Sequence, residues 1–117
     1  MPHVVLRGEV ELEKAWQALP QGPWRWGRAV ARVEGCYLAA GGRALLVAGV
    51  VVELGRPLHP VLVVTLRDGA TAVHLWSAAP VERTEAVQRF LAQVAMELRA
   101  FGAGEVVATN LQALLPQ

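Results

Sequence analysis

The chain has 117 residues, 54% of them hydrophobic and 18% charged, with a net charge of +1. That length fits one domain spanning 1–117, with enough material for a core that needs no metal or disulfide staple. The near-zero charge supplies no field to gather nucleic acid or acidic lipid, and the lone cysteine, Cys36, excludes an internal disulfide and a cysteine-based zinc site.

His3 to Arg7 reads as a strand. A helix is expected from Glu9 to Leu19, with Leu12, Ala15, Trp16 and Leu19 at helical spacing and Glu9, Glu11 and Glu13 in its first turns. Pro20-Gln21-Gly22-Pro23 is the loop that ends it. Trp24-Arg25-Trp26-Gly27-Arg28 interleaves aromatic and basic side chains. Such a segment suits either base stacking or a hydrophobic plug whose arginines reach water.

Four strands are predicted next: Arg28–Leu38, Arg43–Leu54, Leu58–Arg67 and Ala70–Ser77. Their turns are Gly41-Gly42, Gly55-Arg56-Pro57 and Asp68-Gly69. The longest apolar run, Ala44 to Val52, is about half of what a membrane-crossing helix needs. A long helix follows, from Pro80 or Val81 to Phe101. Val87, Phe90, Leu91, Val94, Ala95 and Leu98 form its apolar stripe, and Gly102 ends it. Glu105 to Thr109 is a short strand, and Asn110 caps a last helical turn. The expected fold class is α+β. It is an antiparallel four-stranded meander, open to extension by the terminal strands, with the long C-terminal helix and the short N-terminal helix packed on it.

Register decides which residues share a face. The first turn sets Leu38 opposite Leu45 and Tyr37 opposite Leu46. The third sets Val64 opposite Val73 and Leu62 opposite Leu75. A three-residue middle turn keeps Glu53 off the face of Leu58 and Leu62, unless a bulge at Pro60 corrects the register instead. One face then carries Ala29, Ala31, Val33, Gly35, Tyr37, Leu46, Ala48, Val50, Val52, Leu54, Leu58, Leu62, Val64, Leu66, Val73 and Leu75. It is the expected core, beneath the long helix. The other face is charged toward its ends, but its middle holds Cys36, Val47, Val51, Val61, Val63, Ala72 and Trp76. A contiguous apolar middle marks an interface, covered by the N-terminal helix or a second subunit.

In the same register Gly49 leaves a notch between Glu34 and Val63, bordered by Arg32, His74 and Trp76. An arginine, an indole and a carboxylate around a notch suit a small anion or planar ligand, with His74 as acid or base. An ordinary sheet surface with ion pairs at its rim fits the same rows. Cys36 is expected to be a small apolar residue rather than a nucleophile, because no cation sits beside it. His3, His59 and His74 lack metal-ligand spacing, so no metal or cofactor is expected.

The leading functional expectation is a non-enzymatic interaction module. It would be a homodimer joined through Val47, Val51, Val61, Val63 and Trp76. The second is a ligand binder or enzyme using Arg32, Glu34, Gly49, His74 and Trp76. The third is nucleic-acid binding through Trp24 to Arg28, disfavoured by the charge. Met1-Pro2-His3 opens no signal peptide, and a cytoplasmic location is expected. Lys14, Asn110 and Ser77 are each the only residue of their type and isoleucine is absent, a composition like that of a thermophile protein.

Overall fold

The computed structural model describes residues 1–116. It is an α+β protein built on an antiparallel sheet with helices on one side. The strands are β1 (His3–Arg7), β2 (Trp24–Trp26), β3 (Ala29–Leu38), β4 (Ala44–Glu53), β5 (Arg56–Leu58), β6 (Val61–Arg67), β7 (Ala70–Leu75) and β8 (Val106–Thr109). Helix α1 is Leu12–Ala18. Helix α2 is Glu85–Glu97 and runs on as a 3₁₀ turn, Leu98–Phe101. The sheet order is β2-β3-β4-β6-β7-β1-β8, with β5 on β4. The sheet is therefore larger than the expected four strands, and β1 lies inside it between β7 and β8.

Helix α2 starts later than its apolar pattern predicts. Pro80 to Arg83 stay outside it, and Thr84 caps it by accepting the Val87 N–H at 3.2 Å. Val87, Phe90, Leu91, Val94, Ala95 and Leu98 are all inaccessible to solvent. Burying the five large ones contributes about 8–15 kcal/mol gross. Gly102 adopts the left-handed conformation, φ 107°, that stops the chain there. Helix α1 is shorter than expected, and Trp16 lies outside its buried stripe of Leu12 and Ala15. Asn110 caps no helix. Its amide instead holds the N-terminal strand, taking the His3 N–H at 3.0 Å and donating to the Met1 carbonyl at 2.8 Å.

The hairpin of β6 and β7 turns at Asp68 (φ 52°) and Gly69 (φ 75°), and it pairs Val64 with Val73 and Leu62 with Leu75 as expected. The β3–β4 hairpin likewise pairs Leu38 with Leu45 and Tyr37 with Leu46. Between them the expected register fails. The turn after β4 is the two-residue Leu54-Gly55, with φ of 51° and 75°, and not Gly55-Arg56-Pro57. Both residues are left-handed, as in a type I′ hairpin. Pro60 interrupts the returning strand without shifting it. Leu58 faces Val51 and Val61 faces Ala48 in one continuous register. Val63 consequently pairs with Leu46 instead of Gly49, an odd displacement, so β4 is turned over relative to β6. The bulge lies in β3, at Glu34 between Val33 and Gly35. It keeps Ala29, Ala31 and Val33, then Cys36 and Leu38, on the helix side.

The core is thus Leu45, Val47 and Val51 of β4 with Leu62, Val64, Val73, Leu75, Val4 and Leu6, beneath both helices. Gly35, Tyr37, Leu46, Ala48, Val50, Val52 and Leu54, expected in the core, are not in it. Tyr37 is 61% exposed and Leu54 84%. Thr71 is the only polar residue buried among those described. Its hydroxyl donates to the Gly8 carbonyl at 2.8 Å and accepts the Val10 N–H at 3.0 Å, tying the β1–α1 connection to β7.

Candidate functional site

The turning over of β4 disperses the expected notch. Gly49 faces the helices, where an added Cβ would lie 2.3 Å from the Phe90 ring. Arg32 and Glu34 remain exposed and form an ion pair at 3.9 Å, with the His59 ring 3.7 Å from Glu34. His74 lies in the row His3–His74–Val63–Leu46–Tyr37, and Trp76 lies one row further on, hydrogen-bonded through its backbone to Val61. The ring of His74 is held below the ordinary imidazole pKa, first by burial and then by the neighbouring His3. Of the expected interface, Val47 and Val51 are core residues with no accessible surface; Val61, Val63 and Trp76 face away from the helices, Val63 already largely buried by its neighbours on the sheet.

That open face is apolar all the same, because both sides of β4 are. Leu46, Ala48 and Val50 replace Val47 and Val51 on it. They adjoin Val61, Val63, Ala72 and Val5 across the pairing. Helix α1 does not cover it. Leu12, Ala15 and Leu19 join the same buried cluster as α2, so no element among the described residues crosses the open face. Most of its rim charges pair with each other, Arg32 with Glu34 at one end and Arg7 with Glu105 and Arg67 with Asp68 at the other, while Arg25 on the β2 edge has no ion pair among the described residues.

The Trp24–Arg28 segment is a short edge hairpin. Trp24 and Trp26 are half-buried against the core, and Arg25 and Arg28 are exposed. The indole of Trp24 stands 6.3 Å from the Phe90 ring at a tilt of 54°. Cys36 is half-buried on the core side, and burial pushes its thiol pKa up, away from the reactive thiolate. Among the described residues no group of His, Cys, Asp and Glu has metal-binding geometry, and no helix is long and apolar enough to cross a membrane.

A second place opens on the helix side, at the end of the sheet where β4 turns. Trp26, Arg28 and Ala29 form one wall of a cleft of about 250 Å³. Glu85, Ala86 and Arg89 of α2 form the other wall, and Glu53 and Leu54 lie between them. Glu53 is on the face that the expected register kept clear of charge. Its Oε1 is shielded from solvent and accepts no hydrogen bond among the described residues. Arg89 is engaged by Glu85 at 3.3 Å, whereas Arg28 has no ion-pair partner among them. Sequence reasoning missed this cleft because Leu54 gives no turn signal, although it occupies a left-handed position that favours Asn or Gly. Comparison with protein-family models, curated proteins and solved structures gives no match for this chain.

Proposed function

We propose that the protein is a non-enzymatic interaction module that pairs with a second copy of itself through the open face of its sheet. The observation that carries this reading is the run of Leu46, Ala48 and Val50 beside Val61, Val63 and Trp76, with no helix over it. A solvated sheet face alternates to polar side chains, whereas this one has mostly aliphatic rows with His74 and Thr65 among them. Strands about 4.8 Å apart and side-chain rows about 7 Å apart give its apolar middle a footprint of about 20 Å by 20 Å per copy. Two such apolar middles supply about 800 Å², so the rims must close as well to reach the burial of a stable interface, about 1,200–2,000 Å² in total.

The electrostatics favour a second copy over a charged partner. The net charge is +1 and most rim charges pair within the chain; Arg25 on the β2 edge is the exception, so the face carries little net charge toward a second copy. A two-fold axis through the face sets the same side chains against each other. Sedimentation at micromolar concentration tests the reading. A dimer that becomes a folded monomer on Leu46→Glu or Val61→Glu is expected. A wild-type protein that stays monomeric, or a dimer indifferent to both substitutions, overturns it.

A further inference from the structure

We propose that the cleft at the end of β4 binds a small zwitterion of the α-amino-acid class, its ammonium on Glu53 and its carboxylate on Arg28. The inference is independent of self-association, because the cleft lies on the helix side of the sheet.

A carboxylate oxygen cut off from water and left without a donor is costly; Glu53 lines the cleft, so turning its carboxylate toward the opening would present that oxygen to a ligand's donor. Glu53 Oε1 is the sole buried side-chain polar atom of this kind among the described residues. The missing group is a hydrogen-bond donor, and a protonated amine is the strongest match for an acceptor that carries negative charge. The cleft also holds the opposite deficiency. Arg28 brings a guanidinium with no acidic partner, while Arg89 and Glu85 satisfy each other. The formal charges of the lining cancel, which suits a ligand of zero net charge and disfavours a polyanion such as a nucleotide.

Size and shape point the same way. About 250 Å³ is below the range of drug-sized pockets and fits an amino acid with a modest side chain. Ala29 and Ala86 leave room between the walls with their small side chains, and the Trp26 indole offers a flat apolar surface. Leu54 holds its side chain, 84% exposed, at the mouth. Its left-handed backbone, φ 51°, is strained for a leucine, and strain of that kind gathers at ligand sites.

The test is an NMR titration of the isotope-labelled full chain with the standard amino acids, followed at the Trp26 indole and the Ala86 amide. The best ligand is then compared with its decarboxylated amine and its deaminated acid. Saturable shifts are expected for at least one amino acid, with both analogues weaker by about tenfold or more. Glu53→Gln and Arg28→Ala, checked for folding by circular dichroism, should each weaken binding by about the same factor. The proposal is overturned if no amino acid moves these signals, if a nucleotide moves them instead, or if binding survives Glu53→Gln. Equal binding by the bare amine would remove the role given to Arg28. If a variant fails to fold, the analogue series on the wild-type chain still decides.

Discussion

Replacing Gly49 by alanine tests the facing of β4 directly. An ideal Cβ at this position lies 2.3 Å from Phe90 Cζ, 2.6 Å from Cε2 and 3.1 Å from the Arg32 carbonyl oxygen. Carbon atoms rest at about 3.5–4.0 Å, so the ring must retreat by more than about 1 Å. It has nowhere easy to go, since Phe90 is wholly buried with Trp24 beside it. Overpacking of this kind costs about 1–3 kcal/mol. The alanine recovers about 0.5–1 kcal/mol of backbone entropy. A clash this close falls in the upper part of that range, about 2–3 kcal/mol, so the net loss is about 1–2.5 kcal/mol, a fall in Tm of about 5–10 °C for a chain of this size. Urea unfolding of Gly49→Ala, Phe90→Leu and the double variant forms a cycle. Phe90→Leu alone costs about 1–2 kcal/mol, and in its background Gly49→Ala should be close to neutral. Wild-type stability for Gly49→Ala, or the same penalty with leucine at 90, would refute the packing of α2 over this glycine.

Leu54→Asn should stabilise the protein by about 1 kcal/mol, because Asn-Gly is the preferred pair for a turn with two left-handed residues and the leucine buries little. A lower unfolding midpoint would mean that the Leu54 side chain holds the fold together. The pH dependence of stability follows from His74. Its folded-state pKa is depressed, so as pH falls through the ordinary imidazole value the unfolded chain takes up the proton first. Stability is therefore full above about pH 6.5 and declines below it. His74→Gln should flatten that slope in Tm measured between about pH 7.5 and pH 5.5. A wild type and variant with identical slopes would contradict the burial of this ring.

Where the residues carry a local signal, sequence and structure agree. The α2 stripe repeats every three or four residues, and all six of its predicted members are buried. Asp68-Gly69 fixes its own hairpin because both residues accept positive φ, and the pairing of Leu62 with Leu75 follows. The apolar character of the open face was also legible, as were Val61, Val63 and Trp76 on it. The expected ligand notch was not: it rested on Gly49 pointing away from the helices.

Ala44 to Val52 is apolar on both sides, so its pattern carries no information about which side is inward. The choice then falls to a single turn, and a difference of one residue in its length reverses the whole strand. The expectation kept Glu53 off the face of Leu58 and Leu62 so that the apolar sets stayed together. The fold places it there nonetheless, at the end of the face, beside two arginines and a cleft. Amino-acid sequence by itself determined the elements, the hairpins with positive-φ turns and the excess of apolar surface. Tertiary structure alone decided which side of β4 meets Phe90 and where Glu53 lies, because those depend on the sum of packing over the whole sheet and on no residue's local preference.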